Sequence, residues 1–430
     1  MRLSENEIGR IGRIGPMEPA RCHPVPMLWR KVWADARALT RQAASLLILV
    51  GLGIALFIGM YQAYQNLDDT YAHLWQSNRF ADASVQVERA PEGLVATART
   101  LPHVRAAMGR VVRDGSLNQP GREQEHARAR FIGVPRSAHP EINDVSVLKG
   151  RYLRATHEAL LEHQFAKENR YSLGEVVKCQ YGGREREFTV VGFVVSPEYI
   201  FLVPSRHELW VDRKAFAVLF VDEDLARNWL GVGRQVTEIH CRTDPGCEQE
   251  VVAKLEGLAK PYGVEYAYTQ ETQPGTRVLR MDQSGFAVMS VFFPVLFLSA
   301  AGLTLYGALT RVVRMQVSII GMLKANGFSD RQLLLQQVLV GELIALGGAV
   351  PGVVLGHLMA VGLAKLYAHY LYLPEVVHPV RPDTIAVGLL LAALTGLCAA
   401  YLPARAAAKL PPAAAMRGDL ERRGRLAAQQ

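Results

Sequence analysis

Charged residues vanish from the chain in long blocks. Residues 42–67, 283–310 and 384–404 contain no Asp, Glu, Lys or Arg, and a further apolar stretch from Leu333 to Leu363 is interrupted by Glu342 and His357. Each block is at or above the roughly 20 residues that a helix needs to cross a ~30 Å hydrocarbon layer. The pattern predicts spans at 43–64, 283–310, 329–364 and 384–404. Between the first two the period changes. ADASVQVERA alternates as a strand does, and Pro91 stands at a helix-start position before EGLVATARTL. HVRAAMGRVVRDG, ARARFIGV, EFTVVGFVV, HELWVD and QVTEIHCRT read as strands, and CEQEVVAKLEGLAKPYG reads as a helix. The fold class that follows is an α-helical membrane protein with four transmembrane helices. A large mixed α/β extracytoplasmic domain in two subdomains, residues 65–282, lies between spans 1 and 2.

Charge then orients the spans. The formal net charge is +8 in 430 residues, and the basic residues gather beside particular span ends. Arg30, Lys31, Arg37 and Arg41 precede the first span; Arg311, Arg314, Lys324 and Arg331 fill the segment between spans 2 and 3; Arg405, Lys409, Arg417 and Arg422 follow the fourth. Asp68 and Asp69 flank the other end of span 1. Lys and Arg favour cytoplasmic loops, so both termini are expected in the cytoplasm of a multi-pass protein of the cell (inner) membrane. A short loop, 365–383, lies outside and a tail, 405–430, inside. Residues 1–26 form an N-terminal extension without a secretory cleavage site. The basic, amphipathic stretch 27–42 suits the inner membrane face. Translation starting at Met1 and at Met27 both stay open.

Small residues recur at four-residue spacing in two spans: Gly51, Ala55 and Gly59 in the first, Gly348, Gly352 and Gly356 in the third. In lipid, helices associate where small side chains let backbones approach, so these stripes predict contacts between spans or between subunits. Pro294 and Pro351 are expected to kink their helices. Glu342, about ten residues into span 3, is an intramembrane polar group, either a switch or an inter-helix hydrogen bond. In the loop 311–328, Val313, Val317, Ile320 and Leu323 share one helical face. Asn326-Gly327 is a helix stop, and Ser329-Asp-Arg-Gln332 is a capping box for the next helix. Such a helix either docks a cytoplasmic partner or lies passively on the lipid surface.

Candidate chemistry is sparse. No GxxxxGK[ST] loop exists, so the chain is not expected to be an enzyme with its own ATP site. His157-Glu158-Ala-Leu-Leu-Glu162-His163, read as a helix, sets its histidines well apart around the axis, unlike the i, i+4 pair of a zinc helix. Ser146-Val-Leu-Lys149 lacks the further motifs of penicillin-binding enzymes. No catalytic, cofactor-binding or metal residue is expected. Basic and acidic residues mix in the large domain, which argues against nucleic acid. Among five cysteines, Cys241 and Cys247 bracket the turn-rich RTDPG. A local disulfide and two free thiols both stay open.

The order of one span, a large outside domain and three closing spans resembles the FtsX/MacB-like permease family of ABC transporters. VVRMQVSIIGMLKANGFSDRQL is similar to that family's coupling segment, and LPARAAAKLPPAAAMR resembles its tail. The resemblance implies a separate ABC ATPase, carrying ATP and Mg, that contacts Arg314, Gln316, Val317, Ile320, Lys324 and Gly327. It also implies a second permease copy in a homo- or heterodimer, contact with membrane lipids, and a periplasmic adaptor among the conceivable partners. Gln316 departs from the family's usual Glu. The function expected is export or extraction of a lipid, lipoprotein, peptide or drug-like substrate. Transmembrane mechanical signalling to a periplasmic partner such as a wall hydrolase is the alternative, and a membrane-tethered receptor or enzyme without an ATPase is a third.

Overall fold

The computed structural model describes residues 40–119, 122–136, 138–204, 212–373 and 376–409. The N-terminal extension, positions 27–39 of the amphipathic stretch, most of HELWVD and the tail beyond Lys409 lie outside the described residues.

Uncharged length becomes helix. The four apolar blocks lie in α1 (Thr40–Ser77), α6 (Pro274–Met315), α8 (Asp330–Leu371) and α9 (Pro382–Ala408), each long and apolar enough to cross a membrane. At 1.5 Å per residue, the 38 residues of α1 reach about 57 Å and the 42 of α6 about 63 Å. Both run well past the uncharged windows, α1 to Ser77 and α6 from Pro274. Pro294 and Pro351 sit inside helices that continue through them. A short helix, α7 (Val317–Ala325), separates α6 from α8.

The segment between α1 and α6 builds two sheets. In the first, β1 (Ala83–Pro91), α2 (Gly93–Arg99) and β2 (Val104–Arg110) are completed late in the chain by β10 (Gln235–Thr243), α5 (Glu248–Ala259) and β11 (Val264–Thr269). The strands pair antiparallel in the order β11-β1-β10-β2, a split β-α-β arrangement. Val85, Leu94, Ile239, Val251 and Leu255 fill its core. Pro91 ends β1, Glu92 is the N-cap, and the helix begins at Gly93.

The second sheet is inserted between β2 and β10. It comprises β3 (Val112–Gln119), β4 (Arg122–Val134), β5 (Ser146–Gly150), β6 (Glu158–Glu162), β7 (Val176–Tyr181), β8 (Arg184–Val195) and β9 (Phe216–Asp222). Two short helices, α3 (His163–Glu168) and α4 (Glu223–Trp229), lie among these strands. The order β5-β8-β6-β9-β4-β3-β7 closes on itself because β7 also pairs with β8. The long β8 serves both neighbours, giving Arg184–Thr189 to β7 and Thr189–Val194 to β6. Leu117, Phe131, Leu161, Phe188 and Trp229 fill the resulting barrel, as side chains do in small barrels. The stretch 157–163, set aside above as a zinc helix, is mostly strand β6, whose residues are all buried.

Compactness divides the described residues into a helical unit (within 40–52, 297–350 and 389–409) and a sheet-bearing unit (within 53–296 and 351–388).

Candidate functional site

In the helical unit, the loop after α6 is more sharply articulated than its sequence indicates. Gln316 leaves helical geometry at φ −101°, ψ 12°, so α6 stops at Met315 and α7 starts at Val317. The expected helix from Val313 is therefore split, and Val313 belongs to α6. At the far end Gly327 adopts φ +88°. Its N–H donates to Lys324 O at 3.0 Å and that of Phe328 to Leu323 O at 3.1 Å, the two bonds of a Schellman cap. Ser329 and Gln332 then cap each other, Ser329 N donating to Gln332 Oε1 (2.9 Å) and Gln332 N to Ser329 Oγ (3.3 Å).

The break at Gln316 decides which face is free. Val313 and Ile320 pack with Leu333, Ala407 and the partly buried Leu323, so this face is occupied by the protein itself. Met315, Ile319 and Met322 are exposed at 71%, 42% and 50%, with Arg314 exposed beside them. Val317 is half-buried. Lys324 is a brace: its ammonium meets Asp330 at 2.7 Å and donates to Ala408 O, with the side chain 10% exposed.

The small-residue stripes lie on buried faces of α1 and α8, since Gly51, Ala55, Gly59, Gly348, Gly352 and Gly356 are all buried. In the helical unit a Cβ on Gly348 would stand 2.6 Å from Leu47 O. In the sheet-bearing unit a Cβ on Gly356 would stand 2.8 Å from Ala55 O, and Gly59 faces Met359. Gly59, Gly348 and Gly356 thus pack against the facing helix of the same chain. A further seam escaped the sequence reading. A Cβ on Gly341 would come within 2.7 Å of Ala400 Cβ, and one on Gly396 within 3.2 Å of Glu342 Oε1. Glu342 therefore lies against the bare backbone of α9.

The sheet-bearing unit holds a buried charge cluster that no local motif announces. Arg110 ends β2, Glu238 and His240 lie on β10, and Glu198 sits in the 3-10 turn Pro197–Tyr199 after β8. The Arg110 guanidinium donates to both Glu198 oxygens (2.7 Å each) and to Glu238 Oε2 (2.7 and 2.9 Å). His240 Nε2 meets the same Glu238 oxygen at 3.1 Å, and its Nδ1 meets Ser84 Oγ at 2.8 Å. Arg110, Glu198, Glu238 and His240 are at most 4% exposed. Burial by itself would push the Glu238 carboxyl up. The Arg110 charge and the His240 contact outweigh it and hold that carboxyl well below the usual range. Glu198, Glu238 and His240 have the spacing of a metal trio, but the guanidinium already supplies the cation between the two carboxylates.

This cluster is hydrogen-bonded to the start of α6. Gln273 Nε2 donates to Glu198 O (3.0 Å), and Gln273 Oε1 accepts from Thr276 N in the first turn (2.7 Å). Gly275 is required there, because a Cβ would stand 2.9 Å from Glu198 O. Thr237 Oγ1 ties the two sheets by accepting from Val112 N (2.8 Å) and donating to Val112 O (3.1 Å).

A second strut reaches the end of α8. Gln164 Nε2 donates to Ile200 O (2.7 Å) and Leu371 O (3.4 Å). His163 meets the Tyr372 ring edge-on, Lys167 lies 4.2 Å from the Tyr372 centroid, and Arg213 lies 4.0 Å from that of Tyr370. Glu162 caps α3, accepting from Gln164 N and Phe165 N (2.9 Å each), and burial pushes its carboxyl up to about 7. At the other end of β6, hydrogen bonds from Arg151 hold Glu158 down at about 2.

Cys241 and Cys247 stand as free thiols. Cys241 points into the first sheet's core, where burial pushes its thiol up to about 12, while Cys247 precedes α5.

Residues 291–412 match the FtsX-like permease C-terminal family. Two solved structures are similar over the segment that carries the sheets. The periplasmic region of MacB from Actinobacillus actinomycetemcomitans is 12% identical, covering 47% of this chain and 94% of that one at a TM-score of 0.30. The extracellular domain of the noncanonic ABC-type transporter YknZ from Gram-positive bacteria is 11% identical, covering 43% and 100%, also at 0.30. No curated protein matches the chain.

Proposed function

We propose that this multi-pass membrane protein, with its FtsX-like permease C-terminal domain, is the permease subunit of an ABC transporter. A separate ATPase, holding ATP and Mg²⁺, docks on the exposed apolar face Met315–Ile319–Met322 beside Arg314. The observation that carries this reading is a continuous one. The docking face adjoins the end of α6, and the other end of that same helix is tied through Gln273 to Glu198 and the Arg110 cluster. Closure of the ATPase pair displaces α6, and the sheets receive the displacement at a charged joint. Two permease copies complete the assembly. With Gly59, Gly348 and Gly356 already packed inside each chain, the exposed Val288, Val291, Phe292 and Val295 of α6 face lipid or the second copy. Both termini are cytoplasmic and the sheets lie outside.

The cargo reading is export or extraction of a lipid, lipoprotein, peptide or drug-like molecule. One observation favours mechanical signalling to an outside partner instead. The cleft between the two sheets, about 300 Å³, sets Asp114, Arg130, Glu198, Glu238 and Glu265 among Tyr199, Val203, Tyr266 and Tyr268, and that many charges suit an acyl chain poorly. The test of the reading is affinity purification from native membranes, wild type beside Met322→Glu. Recovery of an ABC ATPase with the wild type and its loss from a folded Met322→Glu supports it. Absence from both leaves a tethered receptor as the better account.

A further inference from the structure

Along one face of α1 in the sheet-bearing unit stand Gln62, Asn66 and Thr70, at 0%, 1% and 3% exposure. Thr70 is satisfied, its hydroxyl donating to Asn66 O (2.7 Å) and accepting from Val377 N (3.1 Å). Gln62 is half satisfied, its Oε1 meeting His357 Nδ1 at 3.0 Å. Nearby polar groups are also engaged: Thr384 Oγ1 donates to Gln65 Oε1 (3.0 Å), and Gln283 Nε2 donates to Tyr64 O (3.3 Å). Gln62 Nε2 and both polar atoms of the Asn66 carboxamide meet no hydrogen-bond partner among the described residues.

Three such atoms on successive turns are costly. Each buried polar group left unpaired costs about 1–3 kcal/mol. Buried water making two to four hydrogen bonds is the usual resolution. A cation fits the chemistry poorly, since the group is made of neutral amides and an imidazole. The carboxylates one turn further, Asp68 and Asp69, are paired with Arg280 and Arg381.

We infer that ordered water is a resident component of the helix bundle at this turn, accepting from Gln62 Nε2 and Asn66 Nδ2 and donating to Asn66 Oδ1. The site contrasts with the close Gly356–Ala55 approach on the same helix. Backbone contact fixes a helix offset, whereas water bridges re-form at a new one. On the permease reading, which this consequence alone requires, the water bridges let α1 tilt at Asn66 about its close contact at Ala55.

The full chain in lipid nanodiscs provides the test, by high-resolution cryo-electron microscopy of the wild type and by thermal unfolding of wild type and Asn66→Leu with and without sodium. The expected results are ordered density within hydrogen-bond distance of the Asn66 carboxamide and a Tm lowered by about 2–4 °C in Asn66→Leu. No density there, with Asn66 turned onto a protein partner, overturns the inference. So does a higher Tm in Asn66→Leu, the signature of a dry, unpaired amide. A sodium-dependent rise in Tm that Asn66→Leu abolishes assigns the site to a cation instead. The wild-type density decides the matter even if the variant fails to fold, and no outcome depends on an ATPase partner.

Discussion

The helix seams and the joint between the two sheets solve one problem by opposite means. At Gly348, Gly356 and Gly341 the side chain is removed, and backbones close to distances a Cβ would forbid. Cohesion there comes from dispersion, which is short-ranged and geometrically unforgiving. At Arg110 large charged groups are buried and matched, with one guanidinium between two carboxylates. A buried ion pair is a poor source of net stability compared with a hydrophobic replacement, but removing one member is severe. The seams are thus built to hold one offset, and the joint is built to be conditional on all its members.

Breaking the joint has the largest expected effect. Arg110→Met leaves Glu198 and Glu238 adjacent, buried and without their cation, and should destabilise the sheet domain by about 3–5 kcal/mol. Thermal unfolding of the full chain followed by near-UV circular dichroism reads this, and a wild-type Tm would mean that the cluster is not as buried as described. Crowding a seam comes next. Gly348→Leu must displace the backbone at Leu47, at a cost of about 1–3 kcal/mol or more. Gly307→Ala, where a Cβ would meet nothing within 4 Å, should be neutral. Equal effects of the two would remove the packing argument.

The smallest effect sharpens the comparison within one strand. The Glu162 carboxyl is raised from 4.5 to about 7 by burial, so the folded state binds the extra proton. Its contribution therefore favours folding at low pH and is lost as pH rises between about 4.5 and 7. Glu158, lowered from 4.5 to about 2, has the opposite sign: its contribution is present above about 4.5 and lost as pH falls toward 2. Glu162→Gln should flatten the first limb and Glu158→Gln the second, in denaturant midpoints measured from pH 3 to 8. A Glu162→Gln profile matching the wild type would contradict the burial of that carboxyl.

What was legible in the chain follows from how local each cause is. Uncharged length, small-residue spacing and the Ser329–Gln332 cap act over a few turns, and they can be read directly. β6 carries no strand signal in the sequence because Glu-Ala-Leu-Leu-Glu has no β-branched residue, and only burial on both faces makes it a strand. Which face of VRMQVSIIGMLKA turns inward was not legible, because the segment is apolar on several faces and one non-helical residue, Gln316, decides it. The Arg110 cluster was out of reach, since its partners lie 88 and 128 positions away. Such charges become a site only once two sheets have met.

The central claim is that movement at the α7 face reaches the Arg110 joint through α6. On the proposed reading, hydrogen exchange of the full chain in lipid with an ATPase that copurifies, during ATP turnover and without nucleotide, tests it most directly. The account predicts nucleotide-dependent exchange at the end of β2, in β10 and in the first turn of α6, absent in Met322→Glu. Unchanged exchange at those positions in the wild type, with the ATPase bound and turning over, would contradict it.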